Sequence, residues 1–391
     1  MPFSLSSKIQ TFPKLPRFHS RSFNAIGEAS NQKRVVTLTP RTNSLLCVLR
    51  VLLIFSLILT LIWIAMVLTL TSRLAPNLSS SGVADIVRKW QSPADSVALL
   101  NPWNQDFTRD TTPVSCHSHN DYWRKVPLYS AISAGCVSVE ADIWFHKNDT
   151  AADLLVGHDK KSLTEEKTLQ SLYLNPFLQI LENMNKASNL GNDSVPASPR
   201  GIFDKNPEMT TLLLLDFKSD GPELWPIIQA QLEPLRVKRW LTYWESSTNK
   251  RQIRPITVVA TGNAHFDLVT SNTTYRDIFF DAPLTDIKNT KYTNLNSYLA
   301  SASLGKAIGT VWAGNINDKQ RKTLTTQIND AKEKGLITRY WDTPSWPVSW
   351  RNSVWKALLE VGSELLNVDD LEAAAKWNWD WCVVAGLVLC G

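Results

Sequence analysis

The first fifty residues contain one acid, Glu28, against eight Lys or Arg, and the run that follows, Val51 to Leu70, contains no charged residue at all. Beyond residue 50 a basic excess is missing too. The arm carries +7 of a chain total of +5, so the remaining 341 residues sum to −2. A nucleic-acid binder keeps its positive footprint on its folded domain, so that class of function is set aside. No repeat of fixed period appears in the 391 residues, a length that suits one large domain with appendages or two ordinary ones.

Twenty uncharged residues at 1.5 Å each cross the hydrocarbon core of a bilayer, so 51–70 is expected to be a transmembrane helix. Lys8, Lys14, Arg17, Arg21, Lys33, Arg34, Arg41 and Arg50 all precede it. The positive-inside rule then makes 1–50 a basic cytosolic arm and sends the rest of a single-pass chain to the luminal or extracellular side. The run is too long and too far from Met1 for an ordinary cleaved signal peptide; secretion after cleavage is the alternative, and the Ser- and Arg-rich arm also has the composition of a mitochondrial transit peptide. Four glycosylation sequons, at Asn77, Asn148, Asn192 and Asn272, all follow the helix, which favours the secretory route and a glycoprotein. Of five cysteines, Cys47 sits at the membrane edge, while Cys116, Cys136, Cys382 and Cys390 form an even set compatible with disulfides. Their pairing is open, and buried free thiols are an equal reading.

Residues 71–111 are rich in Ser, Pro and Asn and read as a stalk or linker. From 112 to 391, short β-rich apolar runs alternate with helical patterns. The expected strands are Val114 to His119, Cys136 to Trp144, Thr211 to Lys218, Ile256 to Thr261, Asp277 to Asp281, Ile308 to Ala313, Leu336 to Trp341 and Glu364 to Val368. Helices are expected at Val126 to Ala134, Thr164 to Asn183, Pro222 to Leu235, Leu295 to Leu304, Asp318 to Lys334 and Ser349 to Val361. Eight βα units in this length predict an α/β fold, a TIM-type (β/α)8 barrel preceded by one transmembrane helix, with an open doubly wound sheet as the alternative. The polar segment Lys186 to Pro207 leads into the third strand, and barrel geometry puts it near the bottom face.

In such a barrel the site lies where strands end. The first strand ends C-H-S-H-N-D-Y, placing His119 and Asn120 at the rim. The second reads S-V-E-A-D-I-W, and alternation along a strand turns Glu140 and Asp142 to the same side. Two carboxylates side by side in a buried sheet need a cation or a proton between them. D-L-L-V-G-H-D supplies His158 on a stretch able to return over the mouth, and T-L-L-L-L-D-F-K ends in Asp216 and Lys218. Singly, each residue reads more simply as a hydrogen-bonded strand end or a helix cap; together, on consecutive strands, they read as a site. All-oxygen ligation suits Mg2+ or Ca2+ better than zinc.

The motifs H-N-D-Y, S-V-E-A-D-I-W, L-L-V-G-H-D and L-L-L-D-F-K, in that order, resemble the phosphatidylinositol-phospholipase-C-like phosphodiesterase superfamily, which includes glycerophosphodiester phosphodiesterases. With T-V-V-A-T-G-N, D-I-F-F-D-A-P-L, R-Y-W-D-T-P and L-L-N-V-D-D-L, the stretch from Ser115 to Ala374 is similar to the fungal altered inheritance of mitochondria protein 6 family. The resemblance implies a phosphoric diester hydrolase: His119 and His158 as the acid/base pair, Glu140, Asp142 and Asp216 as ligands of one divalent cation, with Mg2+ favoured over Ca2+, and Lys218, beside Asn120, on the substrate phosphate. Glycerophosphodiester phosphodiesterases usually carry H-R-G where this chain has H-N-D, so the expected phosphate-gripping arginine is absent. His117, two residues before His119, also faces inward by alternation; alignment to the motif favours His119.

A divalent cation and Lys218 suit the charge that develops on a phosphodiester under attack, and imidazoles suit the proton transfers. The expected partners are a phosphodiester substrate, lipid-derived given the membrane helix, and the membrane itself. A zinc amidohydrolase would match the H-S-H pair but needs further histidines on the fifth and sixth strands, and F-F-D-A-P and T-V-W-A-G-N have none. A non-catalytic membrane-anchored barrel is the competing reading from another class.

Overall fold

A computed structural model describes residues 40–74, 81–145, 153–186, 198–375, 383–384 and 387–388. The arm before residue 40, the sequons at Asn77, Asn148 and Asn192, and Cys382 and Cys390 lie outside the described residues. Contacts divide the chain into two units, Met1–Met66 and Val67–Gly391. The first helix, α1 (Pro40–Leu74), contains a stretch, Ser44–Thr69, long and apolar enough to cross a membrane, with mean hydropathy 3.0 and none of it buried. It is longer than the expected 51–70 because residues 44–50, though ending in Arg50, are mostly apolar.

The second unit is a closed barrel. Its strands between residues 114 and 368, in chain order, are β1 (Val114–Ser118), β2 (Cys136–Trp144), β3 (Leu155–Val156), β4 (Thr211–Phe217), β5 (Tyr243–Glu245), β6 (Lys250–Gln252), β7 (Ile256–Gly262), β8 (Tyr275–Arg276), β9 (Ile278–Pro283), β10 (Ser297–Ser303), β11 (Ile337–Trp341) and β12 (Leu365–Val368). Eight of them run β1-β2-β4-β7-β9-β10-β11-β12 and return to β1, every pairing parallel. Strands such as Thr-Leu-Leu-Leu-Leu in β4 are buried on both faces, as a parallel barrel covered by helices requires. β5, β6 and β8 form a separate small antiparallel sheet.

Two expectations fail instructively. The sixth barrel strand is not Ile308 to Ala313 but Ser297–Ser303, the segment read as helix. Its Leu and Ala favour helix locally, yet pairing on both sides (Leu299 with Asp281, Ser301 with Arg339) overrides that preference. A short helix, Leu304–Ile308, follows it, and Trp312 therefore stands on a loop and does not close a strand. The second failure is the stalk. Residues 82–89 form an amphipathic helix whose Val83 and Ile86, with Trp90 just after it, are buried in the barrel's hydrophobic core together with Leu100 and Phe107. The apolar spacing of Val83, Ile86, Val87 and Trp90 is helical, and the Ser- and Pro-rich surroundings masked it. The folded unit thus begins near Ser81, not at residue 112. The segment Lys186 to Pro207 is tied down at its end: Phe203 is fully buried, and the Ile202 carbonyl accepts from Thr108 Oγ1 at 2.7 Å.

Cys116 on β1 and Cys136 at the head of β2 form a buried disulfide with a Cα separation of 4.7 Å, which settles one pairing that sequence left open. Cross-linking residues 20 apart removes unfolded-chain entropy worth about 3 kcal/mol. Double replacement by Ala should therefore lower unfolding free energy by about that amount in denaturant titrations; an unchanged midpoint would mean the bridge is not formed in solution.

Candidate active site

The mouth of the barrel is built from alternation. β2 and β4 pair in register with Asp142 opposite Asp216, and Glu140, two residues back, faces the same side. One oxygen from each of Glu140, Asp142 and Asp216 lies within 4.8 Å of the others. Beside Asp216, Gly262 has φ +67, and a Cβ there would come within 2.0 Å of Asp216 Oδ1. Only glycine admits both that backbone and that carboxylate. Lys218 Nζ lies 2.7 Å from Asp216 Oδ2 and 3.0 Å from Asp142 Oδ2.

Asp142 is nearly fully buried, and its Oδ1 has no hydrogen-bond partner, while Oδ2 accepts from Tyr122 Oη at 2.7 Å. Burial, then the charges of Glu140 and Asp216, push its carboxyl up to about 7. Burial alone would push Glu140 up as well. Hydrogen bonding from His117 and the charge of Arg339 outweigh it and hold Glu140 well below the usual carboxylate range. A buried oxygen without a partner and three crowded carboxylates fit a hard divalent cation.

His119 projects from the end of β1. Its Nδ1 lies 2.8 Å from Asp369 Oδ1, beyond the end of β12, and its Nε2 lies 3.9 Å from Glu140 Oε2. Burial lowers the affinity of His119 for its proton, but the Asp369 hydrogen bond and neighbouring carboxylates raise it above the ordinary histidine value. β3 folds back antiparallel on β2 (Ile143 with Val156), which brings His158 over the mouth as the sequence suggested. His158 Nδ1 is 3.4 Å from Tyr122 Oη and 3.6 Å from Asp142 Oδ2, with its ring 4.7 Å from Trp123. The two histidines thus flank the carboxylates.

Asn120 is buried rather than open. It adopts the left-handed conformation (φ 46, ψ 47), its backbone N–H donates to Glu140 Oε2, and its side-chain amide lies 2.8 Å from Tyr122 Oη. Asp121 secures this loop by accepting from Ser118 Oγ, the Leu128 N–H and Tyr173 Oη.

Three residues carry more of the site than sequence reasoning gave them. His117 is fully buried, with Nδ1 2.6 Å from Ser138 Oγ and Nε2 2.7 Å from Arg339 Nη1, so both ring nitrogens are engaged and the H-S-H motif is not a metal pair. Burial first, then Arg339, lower its pKa to about 4. Arg339, in the middle of β11, is 4 % exposed and lies 3.8 Å from Glu140 Oε2. Its signal was present, a charged residue inside the apolar strand Ile337–Trp341, two positions before the strand's last residue. Asp369 was legible only as a rim residue or a helix cap, since an acid after a strand suits either.

A relative from Arthroderma benhamiae, described as an altered inheritance of mitochondria protein 6 homolog, is 40 % identical over 279 residues, 69 % of this chain and 85 % of that one. The chain belongs to the altered inheritance of mitochondria protein 6 family. Members from Eremothecium gossypii and Saccharomyces cerevisiae are 36 % and 32 % identical over 69 % and 72 % of this chain, and 71 % and 74 % of theirs. The model of the AIM6-like phosphodiesterase domain matches residues 105–281, the part of the barrel that supplies both histidines and all three carboxylates of the mouth. A glycerophosphodiester phosphodiesterase from Parabacteroides distasonis superposes on 68 % of this family member and 97 % of its own chain, at 11 % identity and a TM-score of 0.38.

Proposed function

We propose that this phosphodiesterase-like barrel is a working phosphoric diester hydrolase that acts on a lipid-derived diester, with Glu140, Asp142 and Asp216 holding one divalent cation, Mg2+ in preference to Ca2+. The observation that carries the reading is the convergence of three carboxylates, one with an unpartnered buried oxygen, between His119 and His158. The cation supplies, when bound, charge stabilisation for the developing negative oxygens. Lys218 adds a second positive centre at the carboxylates and is held there, charged, by Asp216 and Asp142. Asp369 orients His119 by holding its Nδ1, leaving Nε2 for proton transfer, while Tyr122 and Trp123 fix His158. One imidazole takes the proton of the attacking hydroxyl and the other gives a proton to the leaving oxygen. A hydroxyl on the substrate itself would yield a cyclic phosphate, and water an open monoester. Asn120 steadies Glu140 and Tyr122 in this scheme and reaches the phosphate only through them.

The same reading makes α1 a single membrane pass, with the barrel on the luminal or extracellular side. The buried Cys116–Cys136 disulfide supports an oxidising compartment.

The test is cleavage by the full chain in detergent across glycerophosphodiesters, lysophospholipids and sphingomyelin, with Mg2+, Ca2+, Zn2+ or chelator. Mg2+ should restore cleavage by at least about 10^3-fold over chelated protein, as several kcal/mol of charge stabilisation implies. If the folded protein binds Mg2+ and cleaves none of these diesters, the non-catalytic barrel becomes the better reading. Zinc-dependent amide hydrolysis would overturn the assignment.

A further inference from the structure

Outside α1, the described residues expose large hydrophobic side chains at eight positions, and five of them, Trp123, Trp312, Trp346, Val348 and Trp350, lie on loops at the mouth or at the start of the helix leading from it. Scattered exposed hydrophobics are ordinary; a concentration on the catalytic face is not. Trp312 is 83 % exposed and Trp346 76 %. Their loops, after β10 and β11, touch directly: a Cβ on Gly314 would lie 2.5 Å from Trp350 Cα. After β1, Trp123 packs on His158, so an exposed aromatic ring also borders the site itself.

Chemistry narrows the partner. Tryptophan joins a large apolar ring to a polar N–H, and it gathers at the boundary between headgroups and acyl chains. Segments 309–317 and 342–350 contain no Lys or Arg, so an anionic surface is not what they read.

We propose that Trp312, Trp346 and Trp350 seat the active-site face on the bilayer that α1 crosses, by apolar insertion into a zwitterionic headgroup boundary. The proposal rests on α1 being retained as an anchor and stands whether or not a diester is turned over. It makes the mouth open onto the membrane, so that a lipid diester enters from the bilayer and not from bulk water.

The test uses the full chain in phosphatidylcholine nanodiscs, with acyl chains plain or brominated near the headgroup, since bromine quenches nearby indole emission. Intact mass comes first, because a chain found cleaved after α1 overturns the premise. The excess quenching by brominated lipid should drop in the double variant Trp312→Ser, Trp346→Ser, with Trp63 of α1 contributing equally to both proteins. The drop should persist at ~1 M salt, where charge attraction is screened. Equal quenching in wild type and variant overturns the proposal; equal quenching together with two cross-linked copies per disc assigns the rim to self-association instead. Both side chains are solvent-facing, and should the double variant melt early, Trp312→Ser alone gives the same reading.

Discussion

Replacing Glu140 by Gln should cut phosphodiester cleavage by about 10^3-fold, the scale seen when one group aimed at developing charge is lost, and should weaken Mg2+ binding by more than about 100-fold. One carboxyl oxygen does several things at once. Oε2 accepts the Asn120 N–H at 3.2 Å, lies 3.2 Å from His117 Nε2, and sits near both His119 and Arg339. An amide of the same shape keeps the volume but loses the charge, and an NH2 in place of Oε2 meets donors on every side. Calorimetric Mg2+ titration and a rate measurement at saturating metal separate the two losses, and a thermal melt guards against unfolding. A variant that binds Mg2+ as tightly as wild type would place the ion elsewhere.

Arg339→Met should destabilise the metal-free fold by about 3 kcal/mol, because it strands a buried carboxylate whose cationic partner is gone. Glu140 and Arg339 are each 4 % exposed, so water cannot replace the lost interaction. The pH dependence follows from the lowered pKa of Glu140. A carboxyl held below its ordinary 4.5 in the fold contributes stability that is fully present above 4.5 and is lost as pH falls towards the folded value. The gap between wild type and Arg339→Met should therefore be widest near neutrality and narrow below pH 4.5, in denaturant titrations run with chelator. A gap that stays constant with pH would mean that Arg339 stabilises through packing alone.

Much of the site was legible because a strand's period is two. Glu140 and Asp142, and Asp216 with Lys218, could be assigned to one side from spacing, and the eight-strand count from alternation of strand and helix patterns. β2 begins and ends where its apolar run does. What escaped was decided by distance along the chain. Arg339 meets His117 across 222 residues and Asp369 meets His119 across 250, and no local pattern announces which residue a barrel will set opposite which. The sixth strand escaped for the opposite reason. Ser-Tyr-Leu-Ala-Ser-Ala-Ser has ambiguous local preferences, and its neighbours Asp281 and Arg339 decide its state. The helix at residues 82–89 escaped because composition was weighed over a period of only two turns.

The bond between His119 and Asp369 has a consequence for biosynthesis. A chain is made from its N-terminus, so β1, β2 and the Cys116–Cys136 bridge can assemble long before β12 exists. Until β12 closes the ring beside β1, His119 has no Asp369 to fix its tautomer. The mouth of the barrel therefore remains unfinished in every chain that ends before β12.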